Sequence, residues 1–266
     1  MPFKYKIAAF DLDGTIAESK RPLSQEMVGR LFELASKIRV VIISGASITQ
    51  FQKQVLTPWH EVTGNQKGEL IKKINQNLIL LPVCGTQQYF YDEELADWKI
   101  VHSDDFEDDI KDKVISVVNS IVSDARFDIA KNPAGPYIED RGTQITFSAL
   151  GQSADFAVKQ TWDKDGKKKK IIRDELAKLL PEVEVRVGGT TSIDILPKGF
   201  DKAVGLLRLL FSLGMTKEDM IFAGDAIFPG GNDEPVEKSG MICVKVDDLA
   251  DTIGVIDSWL EQMKNG

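Results

Sequence analysis

Two cysteines, Cys84 and Cys243, stand in a chain of 266 residues. They are too few and too far apart for a disulfide framework or a cysteine-rich zinc site. Both adjoin strand-like residues and are read as reduced core thiols. No apolar run approaches the roughly 20 residues that span a bilayer, and the first ten residues lack the long apolar segment of a secretory signal. A cytoplasmic location is therefore expected, and a membrane partner is not. Basic residues are outnumbered, with 33 Lys and Arg against 41 Asp and Glu and a formal net charge of −8. Such a chain has no global basic surface for a polyanion, so nucleic acid is not an expected partner, whereas a small phosphate ester remains open. There is no internal repeat. Lys167 to Lys170 is the one conspicuous charge run and reads as a solvated turn or helix start.

What is present is ordinary for a folding chain: 42% hydrophobic and 28% charged residues, enough to bury one large core or two modest ones. Lys6 to Phe10 reads as a short buried strand that ends where acids begin. Ser24 is placed to cap a helix carrying Met27, Leu31, Leu34 and Ile38. Val40 to Ile43 and Leu78 to Val83 give two more strands, with a helix through Phe51 and Val55 between them. Strands alternating with helices predict a mainly parallel sheet covered on both faces, with ligands at the carboxyl ends of its strands.

After Cys84 the pattern changes. Gln88 to Tyr91 and Trp98 to Val101 look like paired strands, and Ile110, Val114, Val117 and Ile121 mark an amphipathic helix. Ile145, Phe147 and Ala149, then Val183, Val185 and Val187, alternate with polar residues as half-buried antiparallel strands do. The first pattern resumes with Ser192 to Leu196, a helix from Asp201, strands at Met220 to Ala223 and Ile242 to Val246, and a last helix with Ile253, Ile256 and Leu260. The expected fold is α/β, with a Rossmann-like parallel-sheet core formed by residues 1–84 and 190–266 and an inserted α+β domain at 85–189.

The chemistry-bearing residues fall at strand ends. In Asp11-Leu12-Asp13-Gly14-Thr15, two carboxylates at i and i+2 point to the same side, able to flank one metal ion and one phosphorus atom. Gly14 relieves the turn and Thr15 adds a hydroxyl. Two acids before a glycine suit a calcium loop or a plain turn equally well. Ser44, Lys202 and Gly224-Asp225 follow or open elements at other strand ends, and all can converge. Singly, they read as a helix cap, a surface lysine and a turn former. Together they form the set that phosphoryl transfer needs, because its work is positioning and neutralising charge.

In that order the segments DLDGT, ISGAS, PKGFDK and GDAIFPGGND resemble the four signatures of the haloacid dehalogenase-like superfamily along the whole chain, in its Cof-type subfamily IIB. GGTTSIDILPKGFDK and GDAIFPGGND are similar to the matching stretches of eukaryotic-type phosphomannomutases. The resemblance implies an in-line transfer in which Asp11 attacks phosphorus and Asp13 protonates the leaving alkoxide, then activates the incoming water or hydroxyl. It implies magnesium between Asp11 and the phosphate, with Asp225 and Asp233 and the carbonyl of Asp13 as further ligands. Ser44 and Lys202, with Gly45 and Asn232, would hold phosphate oxygens, Lys198 being the second choice to Lys202. The insertion would be the cap that sets substrate specificity. Arg141, in EDRGTQI, matches a cap arginine that holds a second phosphate, and Ser192 and Asp194 match a stretch that contacts sugar. A homodimer is also implied.

Departures from the mutase pattern fall at the second cap arginine, where Leu150-Gly151-Gln152 stands, and after DLDGT, where the chain reads IAESKRPLS. Glutamine does not replace a bidentate arginine without losing its charge. Lys20, Arg21 and Arg186 are the candidates to compensate. Three functions are therefore weighed: a magnesium-dependent phosphatase acting on a phosphorylated sugar or similar metabolite, a phosphomannomutase or phosphoglucomutase-type isomerase, and a non-catalytic sugar-phosphate binder.

Overall fold

The computed structural model describes residues 3–63 and 68–265. In chain order its strands are β1 (Ile7–Asp11), β2 (Arg39–Ile43), β3 (Leu78–Leu81), β4 (Gln87–Asp92), β5 (Asp97–Ser103), β6 (Ile138–Asp140), β7 (Ile145–Ser148), β8 (Val183–Val187), β9 (Ser192–Pro197), β10 (Met220–Gly224) and β11 (Ile242–Lys245). They form a seven-stranded sheet in the order β11-β10-β1-β2-β3-β4-β5 and a four-stranded sheet in the order β6-β7-β9-β8. The first five strands of the large sheet are parallel, and β4 and β5 continue it antiparallel. The fold is thus α/β, with a parallel sheet at its centre.

Alternation along each central strand explains why this sheet is covered twice. Ala8 and Phe10 of β1 pack with Val40, Ile42, Leu78 and Leu80 against apolar residues of the helices Gln25–Ala35 and Leu249–Lys264. Ile7 and Ala9 face the other way with Val41, Ile43, Ile79 and Leu81, against Leu206, Leu209 and Leu210 of the helix Lys202–Ser212. Strands buried on both faces read as unbroken apolar runs, as β1, β2 and β3 do.

The chain divides into two compact units, residues 1–103 with 201–266, and residues 104–200. This differs from the expected boundaries at both ends. β4 and β5 belong to the large sheet, because the turn Val83–Gly85 returns the chain along β3 and lets Tyr89 pair with Leu80. β9 belongs to the inserted unit, where it pairs with β7 and β8. A hairpin or an alternating strand has the same pattern in either unit, so only pairing decides its home.

Within the inserted unit, Ile145, Phe147, Val183, Val185, Ile193 and Ile195 bury one sheet face against Val114, Val118, Ile121, Ile172 and Leu176 of the helices Asp108–Ser123 and Lys167–Leu179. Period-two alternation sends Thr146, Arg186 and Asp194 to the other face. Lys167 to Lys170 form the first turn of the second helix.

Candidate active site

β1, β2 and β10 end level with one another. Asp11 pairs with Ile43, and Phe10 pairs with Ala223, so Asp11, Ser44 and Asp225 emerge at one sheet edge. The helix Lys202–Ser212 begins there too. Lys202 is 1% exposed, and its Nζ donates to Asp11 Oδ1 at 2.5 Å and to Asp233 Oδ1 at 2.6 Å. Asp11 is 3% exposed and Asp233 is fully buried. A buried ammonium of this kind persists only when paired, and here two carboxylates pair it. Lys198, the second choice, is exposed in the inserted unit.

Burial lifts the Asp11 carboxyl to about 7, with the nearby Asp233 charge adding to that rise and Lys202 opposing it. The two acids in turn raise Lys202 above the usual lysine value despite its burial. Carboxylate oxygens of Asp11, Asp225 and Asp233 lie within 4.8 Å of one another. Three carboxylates around one ammonium leave uncompensated negative charge, and an all-oxygen donor set of this size fits a divalent cation. The surrounding backbone is cut close to them. A Cβ at Gly14, where φ is +92°, would stand 2.7 Å from Asp225 Oδ2, and one at Gly224 would stand 2.4 Å from Asp233 Oδ2. Thr15 fixes Asp225 from two sides, its hydroxyl donating to Oδ1 at 3.1 Å and accepting from the Asp225 N–H at 3.0 Å. The Ala226 N–H donates to Asp233 Oδ2 at 3.1 Å.

The Asp13 side chain lies outside this carboxylate cluster. Its Oδ1 accepts from the Lys20 N–H at 2.7 Å and from Gln54 Nε2 at 3.0 Å. Ser44 is buried and its Oγ accepts from the Ala46 N–H at 3.2 Å, while Gly45 and Asn232 are exposed beside Ser44 and Asp233. Gln54 and Thr252 are absent from the sequence-based site. Thr252 donates to the Thr15 carbonyl at 2.7 Å and so braces the same turn from the last helix. Each lies within a helix, where a lone polar residue carries no signal of its own.

The remaining candidates belong to the inserted unit. Asp194 accepts from Thr146 Oγ1 at 2.8 Å, and Gln144 Nε2 donates to the same hydroxyl at 2.9 Å. Burial raises the Asp194 carboxyl above its ordinary value against the Thr146 hydrogen bond and the charge of Arg141. Arg141 donates to Glu139 Oε2 at 2.8 Å. Ser192 pairs with Ser148 further along the same strands. Gln152 donates through Nε2 to the carbonyls of Tyr137 at 3.1 Å and Thr146 at 3.0 Å. Arg186 donates to Glu184 Oε1 at 2.7 Å and to the Phe200 carbonyl at 2.6 Å.

A parallel sheet with an acidic turn after its first central strand, a buried lysine and two later aspartates defines a member of the haloacid dehalogenase-like superfamily. A haloacid dehalogenase-like hydrolase from Bacteroides thetaiotaomicron has a similar fold, with a TM-score of 0.64 at 19% identity over 96% of this chain and 99% of that one. Residues 27–262 match the model of the eukaryotic phosphomannomutase family, and the chain belongs to that family. It is similar to the phosphomannomutase of Encephalitozoon cuniculi, 26% identical over 98% of this chain and 95% of that protein. It is also similar to phosphomannomutase 1 of Dictyostelium discoideum, 27% identical over 85% and 84%. Among the described residues no helix is long and apolar enough to cross a membrane.

Proposed function

We propose that the chain is a magnesium-dependent phosphatase for a phosphorylated sugar or a similar small metabolite, working through an aspartyl phosphate on Asp11. Lys202 holds one Asp11 oxygen, which leaves the other to attack phosphorus in line. As the new oxygen–phosphorus bond forms, the bond to the leaving alkoxide breaks and Asp13 gives that alkoxide its proton. Water then attacks the phosphoryl group, passing a proton to Asp13, and Asp11 is released with inorganic phosphate. Ser44, with Gly45 and Asn232, is assigned to the phosphate oxygens, and Asp11, Asp225, Asp233 and the carbonyl of Asp13 to the metal. Magnesium, when bound there, neutralises charge on the nucleophile and the transferring group.

Gln152 carries the choice of water as acceptor. By resemblance, Leu150-Gly151-Gln152 stands where the mutase branch has its second cap arginine, and the Gln152 amide is committed to two main-chain carbonyls. A neutral amide so engaged offers little to the second phosphate of a hexose bisphosphate. Arg141, Ser192 and Asp194 are assigned to the sugar. The second reading is a hexose phosphate isomerase that returns the phosphoryl group to sugar, and membership of the phosphomannomutase family favours it. Incubation with magnesium and mannose 6-phosphate or glucose 6-phosphate, with and without a hexose bisphosphate, separates the two. Phosphatase action predicts stoichiometric inorganic phosphate. Interconversion of 1- and 6-phosphates without phosphate release overturns it.

A further inference from the structure

Gln54 is a polar side chain only 1% exposed in the large unit, and the backbone around it departs from regular geometry. The helix Ile48–Phe51 passes into a π-helical turn at Gln52–Leu56, closed by the Thr57 N–H bonding to the Gln52 carbonyl, before α-helix resumes at Thr57–Thr63. Such single π turns inside helices concentrate at functional sites. Pro58 has no N–H to offer the Gln54 carbonyl, and the Leu23 N–H takes that carbonyl instead at 2.8 Å.

The side chain repeats the connection. Gln54 Nε2 donates to Asp13 Oδ1 at 3.0 Å and to the Arg21 carbonyl at 2.9 Å. Both partners are acceptors, so the amide has only one workable orientation. Its own oxygen is buried and takes no hydrogen bond from the described residues, an arrangement that is costly to keep. The second donor to Asp13 Oδ1 is the N–H of Lys20, a non-glycine residue held in the left-handed region at φ 60°. Backbone strain of this kind persists where surrounding contacts enforce it. Two irregular segments thus aim donors at the same oxygen of one carboxylate.

We infer that Gln54 is a positioning residue for Asp13: it fixes Oδ1 and so presents Oδ2 as the oxygen that exchanges a proton with the leaving group and with the attacking hydroxyl. This rests on the acid and base role given to Asp13 above. The Gln54 amide is bonded to Asp13 and to the Arg21 carbonyl, so its loss is expected to act on proton transfer through Asp13 and to leave binding alone.

The test is leaving-group dependence in the full chain with magnesium, using kcat/KM, which covers the steps up to departure of the leaving group. Mannose 6-phosphate expels an alkoxide that needs a proton, while p-nitrophenyl phosphate expels a phenolate that does not. Gln54→Met, of similar length and without the donor, is expected to lose about 10- to 100-fold on mannose 6-phosphate, as a misplaced acid does, with KM nearly unchanged, and under about threefold on the aryl ester. Gln54→Asn, which keeps a buried amide but cannot reach, is expected to do the same, with thermal unfolding confirming that both fold. Asp13→Asn is the reference. If Asp13→Asn is selective for the alkyl ester and the Gln54 variants lose equally on both esters or on neither, the positioning role is wrong. If Asp13→Asn itself shows no selectivity, the acid and base reading falls and the Gln54 role with it.

Discussion

Lys202 is the residue on which the site's electrostatics turn. Its ammonium stands between Asp11 and Asp233 with almost no access to water. Lys202→Met removes the only cation in that trio, and breaking a buried pair in this way costs about 3–5 kcal/mol. Urea unfolding without metal should show the loss. The Asp11 carboxyl, lifted from 3.8 to about 7 by burial, makes a separate prediction. Between those values the folded chain keeps a proton that the unfolded chain has released, so metal-free stability falls as pH rises through this window. The Lys202 contribution is lost only above its ordinary value of 10.5, well outside it. A divalent ion takes the deprotonated form, so magnesium should raise Tm more at pH 7.5 than at pH 5, and Asp11→Asn should flatten the difference. An equal rise at both pH values would contradict this account of Asp11. Asp11, Ser44, Lys202 and Asp225 could be read from the chain because each follows or opens an apolar element whose end is visible. Gln54 could not, because a glutamine between Phe51 and Val55 looks like any solvated helix position.

At the scale of elements, the helix that carries Lys202 is seated by close backbone approach. A Cβ at Gly205 would lie 2.4 Å from the Cys84 carbonyl oxygen, and one at Gly85, where φ is +84°, would lie 2.6 Å from the Gly205 Cα. The turn after β3 and the first turn of this helix therefore fit only without side chains. Gly205→Ala would gain up to about 1 kcal/mol in helix propensity, yet overpacking costs about 1–3 kcal/mol. Net destabilisation in urea unfolding is expected, with reduced phosphate release because Lys202 lies one turn earlier on the same rigid element. Unchanged stability would mean that the helix can shift freely. Most strands were legible from apolar runs or alternation, and the helices Gln25–Ala35, Asp108–Ser123, Lys202–Ser212 and Leu249–Lys264 from their apolar spacing, whereas Glu69–Asn77, Phe156–Trp162 and Glu234–Lys238 were not. The π turn was not, since no composition marks it, and its cause becomes clear only when Pro58 is seen beside a carbonyl claimed by Leu23.

At the scale of the whole molecule, the proposed function places bond making and substrate choice in different units. The doubly covered sheet supplies Asp11 and its partners, while Arg141 and Asp194 belong to residues 104–200. Arg141→Ala, losing a charge-assisted contact of about 1.5–3 kcal/mol, should raise KM for mannose 6-phosphate roughly tenfold or more. Its turnover of acetyl phosphate, which has no sugar to hold, should stay unchanged. Equal losses on both would place Arg141 in the scaffold. The existence of two units was readable from the change in strand pattern; their boundaries were not, because β4, β5 and β9 alternate alike whichever sheet receives them. The central claim remains a covalent phosphate on one side chain. Acid-quenched protein taken during turnover of a 32P-labelled sugar phosphate should carry a base-labile label in the peptide containing Asp11, and Asp11→Asn should carry none. Turnover without label on that peptide, or label persisting in Asp11→Asn, would contradict it.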